Sequence, residues 1–253
     1  MMKIGLPISQ YFEQVKIDLL PIAGAVSVRK EKDLDKDFEG KDVLFHANGF
    51  INDEFDALIN NCRFLKKIQS RAGLLSFDLG PSCRKVGCFH NGYVAKSHIL
   101  TEGQILKIAD KKINNIRKYF KGIISVENLD YHLSGAYEIV CVPEFVDAFV
   151  KEFNVYLTLD IGHVEATCSN LSIDIHDYLE RMPLSKVIEI HLSRSFLGKD
   201  SHELPDEKEY KLLDFVLKKS SANYIILEYY HDADNIIYGN KKLARFLKRK
   251  RCL

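Results

Sequence analysis

The sequence predicts a single (β/α)8 TIM barrel of the α/β class over residues 1–253, and three observations carry that prediction. Short apolar runs alternate with segments whose apolar residues recur at helical spacing, the pattern of a parallel sheet wrapped by helices. Most of these runs end in His, Asp or Glu, as expected where strand carboxyl ends converge on one mouth. The length of 253 residues is that of one such barrel. No low-complexity or Pro/Gly/Ser-rich stretch marks a domain boundary, and an open doubly wound sheet rarely sets polar residues at so many successive strand ends.

Taken in order, residues 3–7 form the first apolar run, with Tyr11, Phe12 and Val15 starting a helical face behind it. Residues 23–28, richer in small and β-branched types, form the second. Residues 30–41 are mostly charged, so a helix there is short or absent. Residues 43–45 make a third strand ending in His46, followed by Phe55, Leu58, Ile59, Cys62 and Leu65 on one helical face. Residues 74–77 make the fourth, ending in Asp78 before a Gly-Pro loop. The Gly-, Cys- and His-rich connection 80–100 is irregular, and long loops of this kind serve as lids or binding loops. Thr101 to Gln104 is a capping box for a helix that buries Ile105, Ile108, Ala109, Ile113, Ile116 and Phe120.

The fifth strand, residues 123–126, ends in Glu127 and Asn128; by alternation Asn128 should turn away from the mouth and tolerate Ala. Pro143 stands at a first helical position, ahead of Phe145, Val146, Phe149, Val150 and Phe153. The sixth strand, residues 155–159, ends in Asp160-Ile-Gly-His163. A helix carrying Ile175, Tyr178, Leu179 and Met182 leads to the seventh, where Val187, Ile188, Ile190 and Leu192 form a nearly unbroken apolar run. His191 stands at its end, and a short loop brings Asp200 and His202. Tyr210, Leu213, Val216 and Leu217 mark another helix; residues 224–227 are the eighth strand, ending in Glu228; Leu243, Phe246 and Leu247 close the fold.

Composition removes several function classes. A net charge of +1 leaves no global field for nucleic acid. No apolar run approaches a membrane span, and residues 1–20 lack the features of a secretory signal, so a cytoplasmic location is expected. Six Cys, at positions 62, 83, 88, 141, 168 and 252, show no disulfide-framework spacing. Cys83 and Cys88 with His90 fit no strong zinc motif and read as loop residues. The basic tail LKRKRCL reads as a solvated helix end, where cations favour the dipole, with phosphate or anionic-peptide binding as the sharper alternative.

The strand-end residues are His46, Asp78, Glu127, Asp160, His163, His191, Asp200, His202 and Glu228. Imidazoles and carboxylates of this kind are ligands for iron, zinc or manganese. Singly, each is as readily a helix cap or a satisfied loop residue. Together, so many carboxylates at one mouth repel one another unless cations intervene. The number of donors suits two or three transition-metal ions, with Glu127 or Glu228 bridging.

The succession Glu, Asp-x-x-His, His, Asp-x-His, Glu resembles the xylose-isomerase-like barrel superfamily, which includes the endonuclease IV enzymes. VENLDYH (residues 126–132), VPEFV and LDIGHVEA (within 142–166), and YLERMPLSKVIEIHLS running into KDSHELP (178–205) are closer to the multinuclear non-haem iron oxidative enzymes, the methanobactin-maturation relatives. The resemblance covers the second half of the chain well and the first half poorly. It implies metal ligation by His46, Glu127, Asp160, His163, His191, Asp200, His202 and Glu228, with Glu127, Asp160 and Glu228 as the carboxylates that carry the chemistry. It also implies iron, a peptide substrate whose Cys is oxidised, and a separate peptide-recognition partner protein. Asp78 departs from the His common at that strand end, and His90 or His98 is a candidate replacement. Arg194 and Lys199 flank the ligands and are candidates for holding a substrate carboxylate or phosphate. A zinc- or manganese-dependent hydrolase or isomerase, such as a phosphodiesterase or sugar epimerase, uses the same donors. A binding protein with an eroded site is a third reading, supported by Asp78 alone.

Overall fold

A computed structural model describes residues 1–51, 61–89, 92–250 and 252. Eight parallel strands close into a barrel: β1 (Lys3–Pro7), β2 (Ala25–Val28), β3 (Asp42–Phe50), β4 (Leu74–Asp78), β7 (Ile123–Glu127), β8 (Tyr156–Asp160), β9 (Val187–Leu192) and β12 (Tyr224–Leu227), which pairs back onto β1. Two short antiparallel ribbons stand outside it, β5 (Val86–Phe89) with β6 (Gly92–Ala95), and β10 (Arg194–Phe196) with β11 (Lys199–Glu203). The first lies within the irregular 80–100 connection; the second replaces the simple loop expected after the seventh strand.

The surrounding helices are α1 (Phe12–Leu19), α2 (Cys62–Arg71), α3 (Glu102–Tyr119), α4 (Pro143–Phe153), α5 (Ile161–Leu171), α6 (Ile175–Arg181), α7 (Glu207–Lys219) and α8 (Ala233–Arg249). The Thr101–Gln104 capping box forms as its residues predict, each side chain meeting the other's backbone N–H. Of the expected helical face at 55–65, Phe55, Leu58 and Ile59 lie outside the described residues, while α2 buries Phe64, Leu65 and Ile68. The charged 30–41 segment holds only a 3-10 turn, Glu31–Asp35. α5 is a helix that apolar periodicity did not announce, because it buries Gly162, Glu165, Ala166 and Thr167 alongside aliphatic residues. Its start is tight: a Cβ on Gly162 would sit 2.2 Å from Ser193 Oγ.

Period-two alternation explains how the strands deliver their end residues. Ala25, Leu44, Leu74 and Ile226 pack together as an apolar plug. Two residues further along their strands come Ser27, His46, Ser76 and Glu228, and Ser125 and Thr158 lie two residues before Glu127 and Asp160. Ser125 Oγ and Thr158 Oγ1 are 2.8 Å apart and buried, so the layer beneath the mouth is a hydrogen-bonded set of small hydroxyls. Among the described residues no helix is long and apolar enough to cross a membrane.

Candidate metal centre

The fold brings all nine residues named above to one mouth: Asp78, Glu127, Asp160 and His191 at the carboxyl ends of their strands, Glu228 just past β12, His163 on α5, and Asp200 and His202 on β11. His46 lies midway along β3, which continues to Phe50 instead of stopping at residue 45. Glu127, at the end of β7, is the hub. Its Oε1 lies 3.0 Å from His191 Nδ1, and Oε2 lies 3.4 Å from His46 Nδ1. His46 Nε2 in turn approaches Asp78 Oδ1 at 3.3 Å. Two donor triads result, His46–Asp78–Glu127 and Glu127–Asp160–His191, with the donor atoms of each within 4.8 Å of one another. Glu228 joins the second through Oε1, 3.5 Å from His191 Nδ1. A third group forms where the ribbon folds over the mouth: Asp200 Oδ2 lies 3.4 Å from His163 Nε2 and 3.0 Å from His202 Nε2.

Two of the imidazoles, His163 and His191, are oriented by their second nitrogen, as metal-ligating His residues are. His163 Nδ1 donates to the Asn128 carbonyl at 2.7 Å, which leaves Nε2 as the free donor atom. His191 Nε2 contacts the carboxylate of Glu189 at 3.1 Å, a residue two positions earlier on β9 and buried inside the barrel. His202 has φ +48, the left-handed region that a non-glycine residue adopts only when its surroundings hold it there.

Asn128 corrects the expectation drawn from alternation. Its side chain does turn from the carboxylates, but it is fully buried and clamps the Asp160 backbone: Nδ2 donates to the Asp160 carbonyl at 3.1 Å and Oδ1 accepts from the Asp160 N–H at 2.9 Å. Asp160 Oδ1 then caps α5 by accepting from the His163 N–H at 2.7 Å. Replacing Asn128 therefore disturbs two candidate ligands, Asp160 and His163, at once.

The electrostatics are those of crowded carboxylates. Burial raises the Glu127 pKa, but the imidazoles of His191, His46 and His163 outweigh it and bring the group to about 2. Burial likewise opposes ionisation of Glu228, and His191 and Arg29 hold it well below the usual carboxylate range. Asp160 goes the other way: burial, resisted by His163 and reinforced by the charges of Asp200, Glu127 and Glu228, pushes it to about 8. Asp160 Oδ2, Asp200 Oδ1 and His202 Nδ1 are buried without a hydrogen-bond partner. Buried polar atoms are nearly always satisfied, so three orphaned donor atoms at one mouth fit metal ions that would complete them. The all-nitrogen-and-oxygen donor set fits iron, manganese or zinc.

The cavity above these donors, about 200 Å³, is walled by Phe50, Tyr93, Leu129 and Tyr137 on one side and by Arg29 on the other. Arg29, one residue past β2, reaches Glu228 Oε1 at 2.7 Å, and Tyr230 donates to the same oxygen at 3.1 Å. Asp130 also lines the cavity, with His132 Nε2 2.7 Å from its Oδ2. Arg29, Asp130, Glu189 and Tyr230 were missed in the sequence; the signal for Glu189 was an acidic residue at i−2 from His191, on the same strand face. Arg194 does not line the mouth; it turns to Asp206, 3.1 Å away. Lys199 is exposed on the ribbon beside Asp200, and its charge acts on His132 at the edge of the cavity. His98 is exposed and away from the donors, and His90 lies outside the described residues. Asp78 itself occupies the position for which those two were replacements. Cys83 is buried and Cys88 exposed. Within the basic tail, Lys250 is engaged in the fold, pairing with Asp214 at 2.5 Å and lying over the Phe246 ring.

Fold and site together define a (β/α)8 barrel with a carboxylate–imidazole cluster at its mouth. Solved structures agree on the fold: 3-keto-D-glucoside 4-epimerase from E. coli (TM-score 0.62, 12% identity, 98% of this chain and 100% of that one) and an AP endonuclease, family 2, from Brucella melitensis (TM-score 0.63, 13% identity, 97% and 99%). The family model for the RiPP precursor modification enzymes MbnB/TglH/ChrH matches residues 98–243, and the chain belongs to that family. A UPF0276 protein of Acaryochloris marina is 30% identical over 93 residues, 37% of this chain and 33% of that protein. The chain spans between 30% and 47% of the length of the curated relatives it matches.

Proposed function

We propose that this chain is a multinuclear iron-dependent oxidase acting on a Cys of a ribosomally made peptide, presented with a separate peptide-recognition protein. The observation that supports it is Glu127, one carboxylate whose two oxygens face two donor triads, the arrangement a bridging ligand requires. Membership of a family of peptide-modifying enzymes supports the substrate class. His46, Asp78 and Glu127 would hold one ion; Glu127, Asp160, His191 and Glu228 a second; His163, Asp200 and His202 a third. Bound there, iron supplies a Lewis-acid position for a thiolate and the electrons that reduce dioxygen.

The chain's own residues prepare that chemistry. Arg29 and Tyr230 fix Glu228 from the open side. Phe50, Tyr93, Leu129 and Tyr137 narrow the mouth and exclude water from a bound side chain. Asp130, oriented by His132, offers a carboxylate at the cavity wall to take up the proton of an entering thiol. Asp78 lies where a donor is needed, which speaks against the eroded binding-protein reading.

Purification without oxygen, followed by metal analysis, an absorption spectrum and oxygen uptake, tests the proposal. More than one iron per chain is expected, with oxygen consumed only when a Cys-containing peptide is added. Cleavage of an abasic-site duplex by the zinc or manganese form, with no oxygen uptake, would replace it with the hydrolase reading.

A further inference from the structure

Beside the mouth lies a second cavity of about 480 Å³, built from the loops that follow β1, β2 and β12. The two cavities share Arg29, and Tyr230 of the second donates to Glu228 of the first. The charged 30–36 segment, which carries no strand or α-helix, supplies four of the eleven lining residues: Lys30, Lys32 and Lys36 with Asp33. Asp33 is buried and held by Lys36 at 3.1 Å, so the lone carboxylate of this lining is already neutralised. Lys30 and Lys32 are exposed and have no ion-pair partner among the described residues. Arg29 answers Glu228 and Lys36 answers Asp33, so Lys30 and Lys32 are the two cations this concavity turns toward an entering charge. Low-dielectric walls focus the field of such a set on whatever enters.

We infer that this groove binds an acidic segment of the substrate peptide, with carboxylates a few residues from the Cys that enters the mouth. The inference rests on the peptide reading above and names the chemistry beside the reacting residue. An extended chain advances roughly 3.3 Å per residue, so a peptide passing over Arg29 reaches the groove within a few residues. Its carboxylates would meet Lys30 and Lys32. These cations are strung along one segment rather than converging on a point, and Asp33 stands among them. That arrangement suits carboxylates on an extended chain better than a single compact phosphate.

The test uses the full metal-loaded chain and two fluorescein-labelled peptides, one with a Cys flanked by Glu residues, the other with Gln in place of every Glu. Binding is read by anisotropy for the wild type and for Lys30→Glu/Lys32→Glu, with thermal melting confirming that the variant is folded. The Glu peptide is expected to bind the double variant about tenfold more weakly, and added salt to weaken its wild-type binding, while the Gln peptide is unaffected by either. Equal wild-type affinity for the two peptides, or undiminished binding of the Glu peptide to the variant, would overturn the inference. Displacement by inorganic phosphate at matched charge would reduce the groove to a general anion site and overturn it also. Oxygen uptake is followed in the same samples. Charge-dependent binding without oxygen consumption removes the oxidase reading and leaves the groove; oxygen consumption at equal KM for both peptides does the reverse.

Discussion

The centre draws its donors from two kinds of scaffold. Glu127, Asp160 and His191 stand on barrel strands with parallel neighbours on both sides, and their side chains are 3%, 0% and 1% exposed. Asp200 and His202 stand on a two-stranded ribbon outside the barrel, at 17% and 31%. Donors of the first kind are placed by core packing, which admits little movement. Donors of the second kind depend on a few local ties: Glu165 to the Ser195 N–H at 3.3 Å, Arg194 to Asp206 at 3.1 Å, and Asn170 Nδ2 to the carbonyls of Tyr131 and Gly198 at 2.7 and 2.8 Å. The contrast teaches where rigidity and adjustment are separated: in the proposed assignment the barrel donors would form two fixed positions, and the ribbon would close a third held by fewer ties.

The sharpest way to break this picture is Glu127→Gln. The amide keeps the shape but removes the charge shared by both triads, and it is a poorer ligand for a transition metal. Loss of both barrel-held ions is expected, a larger effect than the roughly 10–100-fold weakening that follows loss of an outer partner. Metal analysis beside the wild type checks it; full occupancy would show that Glu127 is not the hub.

Asn128→Ala comes next and acts on folding. It leaves the N–H and carbonyl of Asp160 buried without their partner, a cost of about 2–4 kcal/mol. Denaturant unfolding of the metal-free protein measures it. A variant within experimental error of the wild type would show that the strand ends relax, and that barrel donors are less fixed than their burial implies.

Glu189→Gln is expected to be milder. The amide oxygen can still accept from His191 Nε2, so orientation survives while the carboxylate's charge is lost. Metal affinity should fall about tenfold, the lower end for an outer partner. Competition against a chromophoric chelator reads the change; an unaltered affinity would remove Glu189 from the support of the centre.

How much of this was legible in the sequence follows the same division. The eight strands and their end residues were readable because apolar runs and period-two alternation are local properties of the chain. Candidate donors on β4, β7, β8 and β9, and Glu228 just past β12, follow from strand ends alone; His46 followed from an apolar run whose strand in fact continues to Phe50. Arg29 was not readable, since its role depends on closure, which sets the end of β2 near Glu228, 199 positions away in the chain. Asn128 was misread because alternation says where a side chain points and nothing about what waits there. The ribbon escaped for a third reason: its turn is built from Leu197 and Gly198, both at positive φ, and only Gly198 signals this in its residue type.

The smallest effect belongs to the ribbon itself. Asn170, on α5, donates to the Tyr131 and Gly198 carbonyls, and so ties the ribbon turn to the loop after β7. The fit is close: a Cβ on Gly198 would lie 2.3 Å from Asn170 Oδ1. Asn170→Ala removes both hydrogen bonds, but the two carbonyls lie near the surface, where water can replace the lost donor. The expected loss is therefore only about 1 kcal/mol of global stability. The consequence should instead be local. Hydrogen exchange across residues 194–203 should quicken, because opening this segment no longer breaks the tie, while β7, β8 and β9 exchange as before. Metal analysis should show the two barrel-held ions retained and the ion at Asp200 and His202 lost first to a chelator. If all ions leave together, the ribbon and the barrel hold one indivisible centre, and the separation of rigid and adjustable donors is wrong.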